Sequence, residues 1–237
     1  VDAVSDDLHG FTAPAGVPDG VTRLVGTRVV LEPLDAARHG DDLFAAATDG
    51  ADPRLWRYLG YGPFDGDRDG FDVHLAAQAA SADPLFYAVV DVWTGRAVGV
   101  VSFLRIEPAH GVIEIGHIWF GAALQRTPAA TETVYLLARH AFEALGHRRL
   151  EWKCDAANAR SQAAARRFGF TYEGTFRQHM VVKGRNRDTA WFSLLDTEWP
   201  AARDGFEAWL DPANFDEQGG QRASLATLRD ARAAARA

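Results

Sequence analysis

Gly111 to Ala144 reads G-V-I-E-I-G-H-I-W-F-G-A-A-L-Q-R-T-P-A-A-T-E-T-V-Y-L-L-A-R-H-A-F-E-A. Val112 to Phe120 is an apolar strand with one embedded acid, Glu114. A short loop follows and closes on Thr127-Pro128. From there Val134, Leu137, Ala138, Ala141 and Leu145 recur at helical spacing, and Gly146 supplies the stop. Proline suits the first helical position, where its missing N–H costs nothing and its fixed φ matches the helix. A strand feeding the N-terminus of a long helix aims backbone N–H groups at an anion. The stretch therefore predicts a phosphate-bearing ligand and sets a candidate catalytic carboxylate near it.

The flanking sequence gives the frame. Trp93-Thr94-Gly95-Arg96 and Pro108-Ala109-His110-Gly111 join strands over 85–92, 97–106 and 112–120, an antiparallel meander. Leu150, Trp152 and Cys154 alternate with Glu151, Lys153 and Asp155 in a further strand. Strand, helix, strand across 112–155 requires a crossover and so a parallel neighbour. Upstream lie a strand at 27–33 and helices at 35–48 and 67–81. Between the helices, Asp52-Pro53 caps a helical turn, R-L-W-R-Y-L. Downstream, Asn158 caps a helix ending at Gly169, and a hairpin of 170–182 with 189–196 turns about K-G-R-N-R-D. The prediction is an α/β (α+β) fold with a mixed, mostly antiparallel central sheet of about seven strands and helices on both faces. An extended arm (1–21) precedes the main domain (22–199), and a helical extension (200–237) follows.

Composition narrows the function. The chain has 237 residues and a net charge of −7, which opposes nonspecific nucleic-acid binding. No apolar run reaches the roughly 20 residues of a membrane span. The acidic N-terminus has no apolar signal core and begins with Val, which reads as a processed or truncated start. The single cysteine, Cys154, fits a reducing cytosol, and a cytoplasmic location is expected. Eight histidines show no metal-ligand spacing, so no metal is expected. The apolar last hairpin and Arg-rich tail suit a homodimer.

Four patches, in this order, resemble the GNAT superfamily of N-acetyltransferases, in particular the ribosomal-protein N-terminal acetyltransferases. They are T-R-V-V-L-E-P-L, I-E-I-G-H-I-W-F, Q-R-T-P-A-A-T-E and N-A-R-S-Q-A-A-A-R-R-F-G-F-T-Y-E-G-T-F-R. The resemblance covers residues 22–199. It implies acetyl-CoA as co-substrate and a primary amine as acceptor, either a peptide or protein N-terminus or a small amine such as an antibiotic. The pyrophosphate would meet Gln125, Arg126, Thr127, Pro128, Ala129, Ala130 and Thr131. Pro128 stands where the family has glycine, which removes one N–H. The backbone of His117, Ile118 and Trp119 would hold the pantetheine arm and acetyl carbonyl, and Asn158 would touch the same arm. A catalytically inactive acyl-CoA-binding module, a sensor or scaffold, is the rival reading.

Acetyl transfer needs a neutral amine, a donor at the developing oxyanion and at most a modest acid for the thiolate. At pH 7 an α-amine of pKa about 8 costs about 1.4 kcal/mol to deprotonate, and a lysine nearer 4.6. Glu114 is the first candidate base. With the turn centred on Ala109-His110, Arg105 stands opposite it, so a structural ion pair is the competing reading. His117, three residues on, falls on the opposite face; as a base it competes with an ordinary rim histidine. By the same resemblance Ser161 is the candidate general acid, with an exposed helix serine as the alternative. Tyr172 and Tyr135 are further candidate acids, with core or rim packing as the competing reading. Trp56, Tyr61 and Phe64, with Tyr58, line the expected acceptor pocket or else the core.

Overall fold

The computed structural model describes residues 10–52 and 54–236. The start of the N-terminal arm and the Pro53 cap lie outside the described residues. The strands are β1 (Leu24–Val25), β2 (Val29–Pro33), β3 (Leu85–Asp91), β4 (Ala97–Glu107), β5 (Val112–Phe120), β6 (Arg149–Asp155), β7 (Thr171–Val182) and β8 (Arg185–Leu195). The helices are α1 (Ala36–Thr48), α2 (Arg68–Ala79), α3 (Pro128–Arg139), α4 (Ala159–Arg167), α5 (Trp199–Leu210) and α6 (Leu225–Ala234). One sheet runs β1-β2-β3-β4-β5-β6-β8-β7. Among the described residues only β5 and β6 pair in parallel, as the crossover through α3 requires. The eighth strand is the two-residue β1, too short to carry an alternation signal.

Alternation divides the apolar residues between two cores. In β3, Phe86, Ala88 and Val90 pack with Leu43, Phe71 and Leu75 of α1 and α2. Tyr87 and Val89, on the other face, join Val134, Leu137 and Phe206 of α3 and α5. The C-terminal helices share that second core. Leu225 of α6 is buried there, and a side chain at Gly205 would strike the Arg229 backbone at 2.8 Å. Arg229 of the tail donates to the carbonyls of Arg166 and Arg167.

The helix predicted over 128–145 is α-helical to Arg139 and then widens. Leu145 N–H reaches back five residues to His140 O at 3.0 Å. Glu132, on its first turns, is buried and accepts the N–H groups of Thr27, Arg28 and Val29 at 3.1, 2.7 and 2.9 Å. It thereby ties the helix to the β1–β2 turn. The predicted turn after Asp52 is not a regular helix, since 54–58 form turns. The last hairpin is tighter than predicted. Lys183 (φ 48°) and Gly184 (φ 69°) make a two-residue turn, so the charged run from Arg185 onward belongs to β8. Outer strand β7 exposes Phe176 and Val181.

Candidate functional site

The parallel pairing of β5 with β6 runs from Val112↔Arg149 to Ile115↔Trp152 and stops. Beyond that point β6 stays with β8 as far as Asp155↔Thr189, while β5 stays with β4 as far as Phe120↔Gly99. The two strands therefore part in the middle of the sheet. A bulge marks the place. Val100 pairs Trp119 and Ser102 pairs Gly116, so Val101 alone faces His117 and Ile118, and His117 has φ 49°. A cleft of about 910 Å³ opens there, lined by Glu114, Gly116 to Phe120 and Gln125 on one side, and by Trp152 to Asp155 and Asn158 to Ser161 on the other.

Glu114 is buried against two cations. Its Oε2 lies 2.6 Å from Arg105 Nη1 and 2.9 Å from Lys153 Nζ. Lys153 also meets Glu151 at 2.5 Å and sits 3.9 Å over the Trp191 ring. The expected Arg105–Glu114 pair is present, but the register differs: Leu104 is the residue directly opposite Glu114. A bulge follows Leu104, and Arg105 takes φ 48° while Asp83 holds its N–H at 2.9 Å. Among the described residues no hydrogen bond reaches Glu114 Oε1.

His117 lines the same cleft as Glu114 rather than the opposite face, because the bulge breaks the two-residue alternation. Its Nδ1 lies 3.0 Å from Ser102 Oγ. Burial, aided by Arg105, His74 and Arg187, pushes its pKa down to about 4. The ring is neutral at pH 7 and too weak a base to hold an amine's proton.

The loop at the start of α3 uses several of its own donors. Gln125 N–H bonds Gly121 O at 3.2 Å, Thr127 N–H bonds Leu124 O at 3.4 Å, and Ala130 N–H bonds the N-cap hydroxyl of Thr127 at 3.3 Å. Arg126 takes φ 63°, and Gln125 Nε2 donates to Phe120 O at 2.7 Å. Of the backbone donors predicted here, Arg126 and Ala129 have no such partner among the described residues, whereas Thr131, four residues after the cap Thr127, begins the helix's own ladder. Helix α4 starts across the cleft. The Asn158 side chain accepts from Ser161 N–H at 3.2 Å, a cap that leaves its amide donors free. Ser161 Oγ accepts from Trp152 Nε1 at 3.0 Å, so the hydroxyl proton is not used in that bond. The same hydroxyl lies beside Cys154, whose thiol burial pushes up and Ser161 partly eases back.

Of the two readings of the pocket aromatics, the packing of Trp56, Tyr61 and Phe64 matches the core. Trp56 and Phe64 are 3% and 8% exposed and pack with Phe71 and Trp119 in the core under α1 and α2. Tyr61 packs against His74 with centroids 4.2 Å apart and the rings tilted by 39°, and burial pushes its hydroxyl up. These rings fill the layer between sheet and helices, and of the four expected aromatics Tyr58 lines the cleft. Trp56 borders only a smaller adjoining cavity of about 300 Å³. Tyr135 bonds Glu207 at 2.8 Å and Tyr172 bonds Thr175 at 2.8 Å, both away from the cleft. Lys153 and Trp152 were not picked out from the sequence. The usable signal was Lys153 on the same strand face as Glu151, beside a strand carrying a third acid. Among the described residues no group of three or more His, Cys, Asp or Glu is placed to hold a metal.

A family model described as an acetyltransferase (GNAT) domain matches residues 28–171. The chain belongs to the GNAT acetyltransferase family. This GNAT chain is similar to a GCN5-related N-acetyltransferase from Brucella melitensis, with 47% identity over 92% of this chain and 98% of that one, and a TM-score of 0.88. It is 29% identical to the putative ribosomal N-acetyltransferase YdaF of Bacillus subtilis (strain 168) over 46% of its own length. It is 35% identical to the ribosomal-protein-serine acetyltransferase of Escherichia coli (strain K12) over 34% of its length. The matches span 58% and 45% of those two relatives, about half their length.

Proposed function

We propose that the cleft is an acetyl-CoA-dependent N-acetyltransferase site that acylates a primary amine by direct attack. The observation that carries this is the edge of β5 left unpaired on its β6 side from Gly116 to Phe120, inside the sheet. Buried backbone donors and acceptors need partners. An extended ligand with amides along its length, such as the pantetheine arm, supplies them. Next to Gln125 of the cleft lining, the N–H groups of Arg126 and Ala129 at the start of α3 suit a pyrophosphate. The resemblance included Pro128 in that set, but its nitrogen carries no hydrogen. Across the cleft Ser161 has a proton to donate to a sulfur, as its place beside Cys154 illustrates. Acetyl-CoA contributes the activated acyl carbon and a leaving thiolate with pKa about 8.5.

Glu114 suits a positioning role better than that of the base. Its Oε2 is taken by two cations, and Oε1 is left to orient a water near the amine. An α-amine needs little more, given the small cost of deprotonating it. A peptide or protein N-terminus is the favoured acceptor, supported by the similarity to a ribosomal-protein-serine acetyltransferase. The test is release of thiol from acetyl-CoA by purified protein with a panel of peptides and small amines. Amine-dependent release supports a transferase, whereas acetyl-CoA binding with no release from any amine supports the acyl-CoA-binding module.

A further inference from the structure

Arg187 is a charged side chain of the cleft that the fold leaves unmatched. It stands on β8 opposite Met180 and lines both the main cleft and the smaller cavity beside it. Its Nε is buried with no hydrogen-bond partner. A buried donor of this kind on a cation calls for an explanation. The other charges at the cleft are already engaged. Arg54 and Arg160 share Asp52 at 2.8 and 3.4 Å. Arg105 and Lys153 share Glu114. Asp83 holds the N–H groups of Arg105 and Ile106, and Asp155 holds that of Ala157. Arg57 and Arg187 remain without a carboxylate among the described residues. The smaller cavity adds Lys183 and Arg185 but no acid beyond Asp155. A chain of net charge −7 thus gathers unmatched positive charge where the cleft meets the smaller cavity.

We propose that Arg187, flanked by Arg57, selects the acceptor: a primary amine that also carries a carboxylate. This rests on the reading of the cleft as a transferase site. A guanidinium offers a carboxylate paired N–H donors, and a half-buried one makes such contacts strong. The same positive field opposes a bare ammonium and favours the neutral, nucleophilic form of the amine. Acidic N-terminal peptides and free amino acids fit this chemistry, whereas polyamines and polycationic antibiotics are rejected.

The experiment compares matched acceptors at saturating acetyl-CoA: the dipeptides Ser-Glu-amide and Ser-Gln-amide, serine and serinamide, and spermidine. The expected result is a preference of about tenfold or more in kcat/KM for the acidic member, carried by KM. Arg187→Gln, with unchanged melting temperature, lowers only the acidic member to the level of its neutral partner, and Arg187→Lys keeps part of the preference. The peptide pair against the serine pair tells a peptide N-terminus from a free amino acid. Equal rates for acidic and neutral members, good turnover of spermidine, or an equal loss on both members in Arg187→Gln overturns the proposal. Equilibrium binding of the two peptides, read by tryptophan fluorescence, separates the anion site from the transferase activity. Ser-Glu-amide binding that Arg187→Gln abolishes, with no amine acetylated, removes the transferase and keeps the anion site. Equal binding of both peptides removes the anion site.

Discussion

Glu114 and Lys153 form a buried ion pair, Oε2 to Nζ 2.9 Å, with each side chain 4% exposed. They come from the two strands that part at the cleft, one residue before and one residue after the last parallel pair, Ile115↔Trp152. The pair therefore stands at the point where the sheet opens. Lys153 also neutralises Glu151, so its loss leaves two buried carboxylates with only Arg105 and Arg149 beside them. Breaking a buried pair from one side costs about 3–5 kcal/mol. Lys153→Met, which keeps the length of the stem over Trp191, is expected to lose that much in urea unfolding. A loss below about 1 kcal/mol contradicts the role given to the pair.

The pH dependence of turnover separates a base from a positioning carboxylate. With Glu114 positioning a water, kcat/KM rises with pH along the acceptor's own titration, near 8 for an α-amine. Glu114→Gln lowers the rate but keeps that profile. A rise at acid pH that disappears in Glu114→Gln would restore Glu114 as the base.

Ser161 is expected to act on the leaving group. A thiolate leaves readily without a strong acid, so Ser161→Ala is expected to lower kcat by about tenfold, less than the usual effect of a general acid. KM for acetyl-CoA changes little. Trp152→Phe, which removes the donor to Ser161 Oγ, has a smaller effect in the same direction. A fall confined to KM indicates a binding role only.

Acid stability follows from His117. Its folded-state pKa of about 4 is depressed below the ordinary histidine value, mainly by burial. Between about pH 6.5 and pH 4 the unfolded chain binds the extra proton, so stability falls as pH falls through that window. The ceiling for one such group is about 3 kcal/mol, reduced by its partial exposure. His74, His140 and His147 are shifted the same way by burial and add to the slope. His117→Asn, which tolerates the left-handed backbone, is expected to flatten the slope in urea unfolding at pH 7, 5.5 and 4.5.

Pro128 gives a test of the donor end. Pro128→Gly restores an N–H at the helix start, and a hydrogen bond to a charged group contributes about 1.5–3 kcal/mol. The glycine adds unfolded-state freedom worth about 0.4–1 kcal/mol against the fold. Tighter acetyl-CoA binding at lower stability is the expected outcome, by calorimetry and thermal unfolding. Unchanged affinity would place the phosphates elsewhere.

Much of this layout could be read in the residues. The meander, the crossover helix and the Asn158 cap follow from alternation, turn residues and helical spacing, all local signals. The bulges do not. Arg105 and His117 take left-handed φ without a glycine or asparagine to announce it, so the register slipped at both and His117 was assigned to the wrong face. Lys153 looked like an outer polar residue because its partner on β5 is distant in sequence. Trp56 and Phe64 had two uses open to large rings, and only the packing under α1 and α2 decides between them. Arg187 sits in K-G-R-N-R-D, a run whose composition reads as a turn.

The central claim is direct acetyl transfer to an amine in the opening between β5 and β6. Its most direct test is a mass-spectrometric assay of purified protein with acetyl-CoA and Ser-Glu-amide, with free thiol measured in parallel. The expected outcome is a peptide heavier by one acetyl group, one thiol released per peptide modified, and no acetylated protein along the way. Thiol released without modified peptide, or an acetyl group found on the protein, would contradict it.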